Sequence, residues 1–321
     1  MATWTTTAVW PDDLVRASDL TAAALEELLD LAERMKAESG RWTGALTGQS
    51  LTCLFETPTT RAGLSTEAAA HRLGMEPIRV APSELARGRG ESLEDAVRVL
   101  SRYTVAIVMR DMPEDTVGQV AHAADAPVVN AQSPEHHPCQ ALADLLTIRE
   151  EFTELRGRVL AYVGPPSNIA VSLMQAGVMA GMEVRLACPP GDEPDRAQRA
   201  AAEAMADLHG GVLHIGNDPG EAAKGADAIV TAPWPSPAGE SERRRLEDRL
   251  RPYSVTTSLM ARAKPTAIFL HSLPAHRGEE VSAGVIDWRH SRVWEEAGNR
   301  VPAEQAIIYA LVMASRQAGG D

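Results

Sequence analysis

The sequence predicts an α/β protein of two domains, each a parallel sheet flanked by helices. Short apolar runs of strand length alternate with longer segments of helical periodicity, which is the pattern of repeated βαβ units. One such series covers residues 51–150, and a second begins at Arg158 and ends near His271. A chain of 321 residues is long enough for two domains. We therefore expect domains at 1–150 and 151–300, with a C-terminal helix over 301–321 that packs back on the first domain.

The first half of the chain opens with an amphipathic helix. We expect Asp19 to cap it and Gly40 to end it. Its apolar positions recur at helical spacing, at Leu25, Leu28, Leu29, Ala32 and Met35. The strand and helix pairs expected after it are Leu51–Phe55 with Ser65–Leu73, Val105–Met109 with Glu114–Ala123, and Val128–Asn130 with Cys139–Glu150.

The second half predicts five more strands and a final helix. We expect that helix to run from Pro302 to Ser315, with Pro302 in its first turn. The expected strands are Arg158–Val163, Glu183–Ala187, Val212–Ile215, Ala228–Thr231 and Ala267–His271.

Composition excludes several classes of function. A net charge of −13 disfavours nucleic acid as a partner, because a phosphate backbone would meet net repulsion. The apolar runs are about one strand long, well short of the roughly 20 residues that cross a membrane. Three widely spaced cysteines predict neither a disulfide framework nor a structural zinc site. The N-terminus lacks the pattern of a secretion signal, so we expect a cytoplasmic protein.

Chemistry-bearing residues first appear in FETPTTR, from Phe55 to Arg61. A strand is expected to end there and a helix to begin, which would offer backbone N–H groups and the positive end of the helix dipole to a phosphate. Thr59 and Thr60 add hydroxyls, and Arg61 adds a guanidinium. The alternative is structural: Thr59 or Thr60 caps the helix and Arg61 lies in solvent.

Two further segments of the first half place polar groups at ends of expected strands and helices. Arg110 follows an apolar run, and ligands of open α/β sheets bind at the carboxyl ends of the strands. His137 and Gln140 lie in HHPCQALAD, a loop that enters a helix with Pro138 near its first turn. An arginine at a strand end, or the adjacent pair His136 and His137, can equally be a surface feature.

The second half carries two such segments. HSLPAHRGEE, at 271–280, follows an expected strand, and loops of this kind at strand ends often hold active-site groups. Asn299 and Arg300 are expected to precede the final helix. An ordinary turn between a strand and a helix, and an arginine on an exposed turn, are the respective alternatives.

Together and in this order, these segments resemble the ornithine/aspartate carbamoyltransferase (transcarbamylase) family, and its ornithine branch most closely. FETPTTR resembles the STRT-type phosphate motif, HPCQALADLL resembles the HPxQ motif, and HSLPAHRGEEV resembles the HCLPAHRGEEV block of the ornithine branch. The resemblance spans nearly the whole chain, from the opening helix to Gly298-Asn299-Arg300.

The resemblance implies a carbamoyl phosphate domain, an amino-acid domain, an active site between them, and a homotrimer or a multiple of trimers. It implies catalytic roles for Arg61, Arg110 and His137. The positions it implies for binding carbamoyl phosphate are Thr59, Thr60, Arg61, the backbone N–H of Ala62, Arg110, His137, Gln140, the backbone of Ser272 and Leu273, and Arg300.

The chemistry fits such a site. Carbamoyl phosphate is a planar carbonyl attached to a dianionic leaving group, so arginines would neutralise the phosphate as an amine attacks. Arg61, a threonine hydroxyl and His137 would stabilise the oxyanion. Catalysis would rest on holding the two reactants in line, and the phosphate itself can accept the proton of the amine. No covalent enzyme intermediate, metal or organic cofactor is needed, and we expect no metal site.

Two departures from the family pattern affect the phosphate side. Ala62 and Gly63 stand where many relatives have Thr-Arg, and Gly90 stands where many have lysine, with Arg89 beside it as a substitute. We expect carbamoyl phosphate binding to persist with lower affinity, because a lost buried contact costs on the order of 1–3 kcal/mol.

The acceptor side departs further. Ornithine enzymes carry D-x-x-x-S-M-G, whose aspartate holds the α-ammonium of the substrate. Here Ala232 replaces that aspartate, Ser236 remains, and Pro237 replaces the methionine. Asn168 is the clear match in the first turn of the second domain, and Ser272 stands where ornithine enzymes have cysteine. These five residues are the candidates for binding the acceptor.

The sequence therefore predicts transfer of a carbamoyl group to an amine, or a hydroxyl, other than ornithine, in a specialised biosynthetic pathway. One alternative is an ornithine carbamoyltransferase that makes citrulline. A second is a catalytically silent paralogue that binds a metabolite. A nucleotide-binding enzyme is disfavoured because the chain has no GxGxxG in the first turn of its second domain and no GxxxxGK[ST].

Overall fold

The computed structural model describes residues 4–56, 61–85, 90–237 and 239–318, without the side chains of Arg61 and Ala62. The chain divides into two compact units. Unit 1 contains Met1–Leu142 and Arg300–Asp321, and unit 2 contains Ala143–Asn299. Both are α/β units with a parallel sheet, which confirms the predicted fold class.

Unit 1 is built on four parallel strands in the order β2-β1-β3-β4. The strands are β1 Ser50–Phe55, β2 Glu76–Val80, β3 Ala106–Arg110 and β4 Val128–Gln132. The helices that begin in this unit are α1 Ala22–Ala37, α2 Ser39–Trp42, α3 Arg61–Arg72, α4 Leu93–Tyr103, α5 Glu114–Ala123 and α6 Pro138–Phe152.

Burial explains which strands of unit 1 could be predicted. β1 and β3 are buried almost throughout, so their residues form the continuous apolar runs that identify central parallel strands. β2 was missed because it is an edge strand whose five residues are all at least partly exposed. A half-solvated edge needs no apolar run, so its sequence carried no strand signal.

Unit 2 has a five-stranded parallel sheet in the order β7-β6-β5-β8-β9. The strands are β5 Val159–Val163, β6 Glu183–Ala187, β7 Val212–Gly216, β8 Ala228–Thr231 and β9 Ile268–His271. Between them lie α7 Asn168–Met179, α8 Arg196–His209, α9 Pro219–Ala223, α10 Glu240–Leu250 and α11 Thr257–Met260, and after them α12 Ala283–Ile286 and α13 Val293–Ala318.

The core of unit 2 lies on both faces of this sheet. All five residues of β5 are buried, and every residue of α7 from Ile169 to Met179 is buried as well. A helix that is apolar all round has no solvated face to keep, so α7 is covered on all sides. On one face of the sheet, Phe269 packs in a cluster with Val255 and Val285. Each such side chain contributes about 1.5–3 kcal/mol on full burial.

The start of α1 differs from the sequence prediction. Thr21 caps this helix by accepting the N–H of Ala24, at 3.1 Å. Asp19 lies in the preceding 3-10 turn, where it accepts the N–H groups of Val15 and Arg16. Both residue types are good caps, and the intervening Leu20 in extended conformation moves the helix start to Thr21.

The final helix also differs from its prediction, because α13 begins at Val293 and contains Pro302. Asn299 and Arg300 therefore lie within the helix rather than before it. Asn299 is fully buried and donates to Thr147 and Glu150, contacts that hold the part of the helix before Arg300 within unit 2. Neither this 26-residue helix nor any other in the described part of the chain is long and apolar enough to cross a membrane.

Strand order fixes where each unit can bind a ligand. In unit 1 the chain builds β2 on one side of β1 and β3 on the other, and in unit 2 it builds β6 on one side of β5 and β8 on the other. Ligands of open α/β sheets bind at the carboxyl ends of the strands where the order reverses. These points lie between β1 and β3 in unit 1 and between β5 and β8 in unit 2.

Candidate functional site

The reversal point of unit 1 lies at the start of FETPTTR, residues 55–61, which the sequence predicts to bind phosphate and which is called the phosphate segment below. Phe55 pairs with Arg110 in the sheet, and the N–H of Glu56 donates to the carbonyl of Arg110 at 3.2 Å. Thr59 and Thr60 lie outside the described residues. Helix α3 begins at Arg61, so the expected junction of a strand with a helix N-terminus is present.

Arg110 ends β3, as the sequence predicted, and its side chain is 14% exposed. Its Nε lies 3.4 Å from a carboxylate oxygen of Asp111. Asp111 has a φ of +58°, a strained conformation of the kind that clusters at binding sites. The strand thus delivers a largely buried guanidinium to the edge where the phosphate segment starts.

His137 immediately precedes α6, also in unit 1, and is buried. The N–H of Gln140 lies 3.4 Å from its Nδ1 and is shared with its carbonyl oxygen at 3.1 Å. A ring nitrogen that accepts a hydrogen bond carries no proton, so Nε2 is the protonated nitrogen. His137 can therefore donate a hydrogen bond to a carbonyl oxygen without being charged.

Two effects keep His137 neutral. Burial lowers its pKa well below the ordinary value of 6.5, and the positive charges of Arg300 and Arg110 lower the pKa further. These charges also place His137 in the field of two predicted phosphate-binding arginines. The three residues therefore share one environment within unit 1.

Arg300 lies on α13 and is 9% exposed. Its Nη1 donates to the amide oxygen of Gln140 at 3.2 Å, and its Nη2 donates to Glu304 at 3.0 Å. Its Nε is buried and donates to no described residue. A buried guanidinium with one free donor can bind an anion with little reorganisation.

Glu304 connects this arginine to the helix that follows the phosphate segment. It is 3% exposed, and it accepts hydrogen bonds from Ser65 Oγ at 2.8 Å and from Thr66 Oγ1 at 2.7 Å. None of these three residues was among the site residues predicted from the sequence. The available signal was the stretch AEQAIIYALV, in which Glu304 is a carboxylate among apolar residues of a helix.

The reversal point of unit 2 is formed first by the turn after β5. Ser167 caps α7 by accepting the N–H of Ala170, and its hydroxyl pairs with Tyr162 at 3.1 Å. Asn168, the predicted acceptor-binding residue, is the first residue of α7 and is half-buried. Gly164 has a φ of +133°, so a side chain there would be strained.

The other strand at the reversal point of unit 2 is β8, and the segment that follows it begins with Ala232. Ala232 is buried and directly follows the strand. Trp234 is also buried, and its indole N–H donates to no described residue. Ser236 is exposed and Pro237 is half-buried. The position expected to hold a carboxylate is therefore apolar, and a tryptophan lies two residues beyond it.

Beside β8, strand β9 ends at His271 and leads to Ser272 and Leu273, which are half-buried. Leu273 has a φ of +55° and its N–H donates to His271 Nδ1 at 2.8 Å. His271 Nε2 then donates to Glu280 at 3.1 Å. This buried pair fixes the backbone that the sequence assigned to the carbamoyl group.

Comparisons with known proteins agree across most of the chain. Residues 12–150 match the profile of the aspartate/ornithine carbamoyltransferase carbamoyl-P binding domain, and residues 156–311 match that of the Asp/Orn binding domain. The ornithine carbamoyltransferase of Halalkalibacterium halodurans is 41% identical over 94% of this chain and 95% of its own length. That of Methanothermobacter thermautotrophicus is 43% identical over 89% of this chain and 94% of its own. The solved ornithine carbamoyltransferase of Pyrococcus furiosus has a TM-score of 0.90 and 39% identity, covering 96% of this chain and 99% of its own.

Substituting Glu304 with glutamine is expected to destabilise the fold by about 3 kcal/mol or more, because Arg300 would be left as a buried charge without an anionic partner. Urea unfolding measures this. Glu203→Gln is the matched control, because Glu203 pairs with Arg199 at the same i,i+4 spacing on the surface, at 2.8 Å. The control should change stability by less than about 0.5 kcal/mol. Equal effects of the two substitutions would contradict the role given to Glu304.

The low pKa of His137 predicts a pH dependence of stability. As pH falls below about 6.5, the unfolded chain binds a proton that the folded protein excludes. The stability from neutral His137 is therefore present above that pH and is lost below it. Urea unfolding at pH 8 and pH 5.5 should show a larger loss for the wild type than for His137→Gln. His214→Gln, at an exposed histidine, should behave as the wild type. An identical loss in all three proteins would refute this assignment.

Proposed function

This chain belongs to the aspartate/ornithine carbamoyltransferase family, and we propose that it transfers the carbamoyl group of carbamoyl phosphate to ornithine. Membership in the family supports the enzymatic activity, which is transfer of a carbamoyl group. The identity of the acceptor as ornithine is the part that we propose. The observation that carries it is a match to proteins named ornithine carbamoyltransferase at 41% identity over 94% of the chain.

We assign carbamoyl phosphate to unit 1, at the carboxyl ends of β1 and β3. Arg110 and Arg300 would neutralise the phosphate, together with Thr59, Thr60, Arg61 and the N–H of Ala62. The buried hydrogen bonds of Arg300 support this role, because they orient its guanidinium before the ligand arrives. Gln140, held by Arg300, would contact the carbamoyl group.

The transfer proceeds by direct attack. The neutral amine of the acceptor forms a bond to the carbamoyl carbon, and the bond from that carbon to the phosphate oxygen breaks. His137 Nε2 donates to the carbonyl oxygen as negative charge develops there, and the arginines stabilise the departing phosphate. The phosphate takes the proton that the amine loses. A neutral His137 suits this role because its protonated Nε2 can donate a hydrogen bond while the ring carries no charge.

We assign the acceptor to unit 2, at the carboxyl ends of β5 and β8, with Asn168, Ser236, Pro237 and the backbone of Ser272 as candidates. A second proposal is that the acceptor is an amine other than ornithine and that the enzyme serves a specialised pathway. Buried Ala232 specifically favours it, because no carboxylate stands there to hold an α-ammonium. The whole-chain relatives support ornithine more directly than they support this second acceptor.

The acceptor can be identified by phosphate release from carbamoyl phosphate, measured against ornithine, aspartate, putrescine and shorter diamino acids. With ornithine as substrate, the wild type should release phosphate at ordinary enzymatic rates and Arg61→Ala should not. Ala232→Asp should lower the KM for ornithine about tenfold or more, because a charged hydrogen bond contributes about 1.5–3 kcal/mol.

The outcomes separate the two proposals. Release that requires another amine, with ornithine accepted only after Ala232→Asp, would support the second proposal and reject the first. No release with any amine would reject both. Ala232 is buried, so the stability of the Ala232→Asp protein must be measured alongside its activity.

We also propose a cytoplasmic homotrimer, an assembly that the family resemblance implies. Sedimentation equilibrium should then give a mass near 103 kDa, three times the 34.4 kDa of one chain. A higher multiple of the trimer would fit the same proposal. A monomer or dimer at micromolar concentration would contradict it.

A further inference from the structure

The loop after β9 brings together three potential metal ligands in unit 2. His276, Glu279 and Glu280 each offer one ligand atom, and these three atoms all lie within 4.8 Å of one another. Their spacing is H-x-x-E-E within HSLPAHRGEE. The reaction proposed above does not use these side chains to bind a substrate.

Glu280 is a fully buried carboxylate. Its side chain is 0% exposed. His271 accepts from Leu273 through Nδ1 and donates to Glu280 through Nε2.

One oxygen of this carboxylate is available. Oε1 of Glu280 accepts hydrogen bonds from His271 at 3.1 Å and from the N–H of His276 at 2.5 Å. Oε2 is buried and accepts no hydrogen bond from any described residue. It lies 3.5 Å from Nδ1 of His276. A buried carboxylate oxygen without a hydrogen-bond donor is well placed to bind a cation.

The distance between Oε2 of Glu280 and Nδ1 of His276 suits a tetrahedral metal ion. Zn²⁺ binds histidine nitrogen and carboxylate oxygen at about 2.0–2.2 Å. Two ligands at about 2.1 Å and a tetrahedral angle lie about 3.4 Å apart, close to the observed 3.5 Å. Glu279 is exposed and can complete the set by a side-chain rotation.

The surroundings leave room for the remaining coordination position. A cavity of about 60 Å³ borders His276 and Glu279, enough for a water molecule. Arg243, which also lines it, is paired with Glu240 and Glu247. Among the described residues, the two histidines are the only basic side chains within 4.0 Å of the Glu280 carboxylate.

We propose that His276, Glu279 and Glu280 form a binding site for a divalent transition metal of the Zn²⁺ class, with water as a fourth ligand. Imidazole together with two carboxylates favours such an ion over Mg²⁺. This revises the expectation, from the sequence, of no metal site. Through Oε1 of Glu280 and His271, a bound ion would stabilise the positive-φ conformation at Leu273. The site is structural and requires no assumption about the acceptor.

The test is equilibrium binding of Zn²⁺ to the full chain after removal of metals with a chelator. Isothermal titration should give one ion per chain, with thermal unfolding shifted to higher temperature. His276→Ala should weaken binding at least about tenfold, since loss even of a residue that only orients a metal ligand costs about 10–100-fold. His276 is largely exposed, at 42%, so this variant should fold.

His214→Ala is the matched control, because His214 is an exposed histidine whose Nε2 lies 3.6 Å from Glu183. It should bind Zn²⁺ as the wild type does, and Mg²⁺ should not compete. The proposal is overturned if the wild type binds no Zn²⁺, if His276→Ala binds as tightly as the wild type, or if His214→Ala loses as much. Binding is measured without substrates, so these outcomes are independent of the carbamoyl transfer proposal.

Discussion

Unit 1 depends on the hydrogen bonds that the buried carboxylate of Glu304 accepts. It accepts from Arg300 on its own helix and from Ser65 and Thr66 on the helix that follows the phosphate segment. Removing it would leave the buried charge of Arg300 without an anionic partner and would take one hydrogen bond each from Ser65 and Thr66, which is why one carboxylate constrains two helices. The fixed guanidinium of Arg300 in turn orients Gln140.

The order of the strands determines where candidate residues lie in unit 1 and in unit 2. This placement does not depend on the sequence of the loops. In each unit the order reverses beside the first strand, β1 or β5. Arg110 in unit 1, and Asn168 and Ala232 in unit 2, lie at or after the ends of strands that flank this reversal. Buried central strands supply rigidity, because their side chains are packed on both faces. The loops beyond them can then change with little cost to the fold.

Unit 2 illustrates that freedom. The end of β8 carries an alanine and a buried tryptophan where the family resemblance implies an aspartate, while after the neighbouring strand β9 His271 and Glu280 form a fully buried pair. The first change alters the charge offered to an acceptor, and the second arrangement maintains the backbone at Leu273. A metal ion held by Glu280 and His276 would further stabilise the backbone at Leu273.

The sequence by itself determined the α/β class, the central strands and the family, because buried parallel strands require apolar runs and the motifs lie at strand ends. It did not determine the edge strand β2, whose exposed residues lack that pattern, or the cap of α1, where Asp19 and Thr21 are chemically equivalent candidates. Tertiary structure alone decided that α13 continues through Pro302, because Asn299 is held by side chains about 150 positions away. It also decided the pairing of Glu304 with Ser65 and Thr66 and the approach of His276 to Glu280, since hydrogen bonds and charges act through distances in space that sequence spacing does not specify.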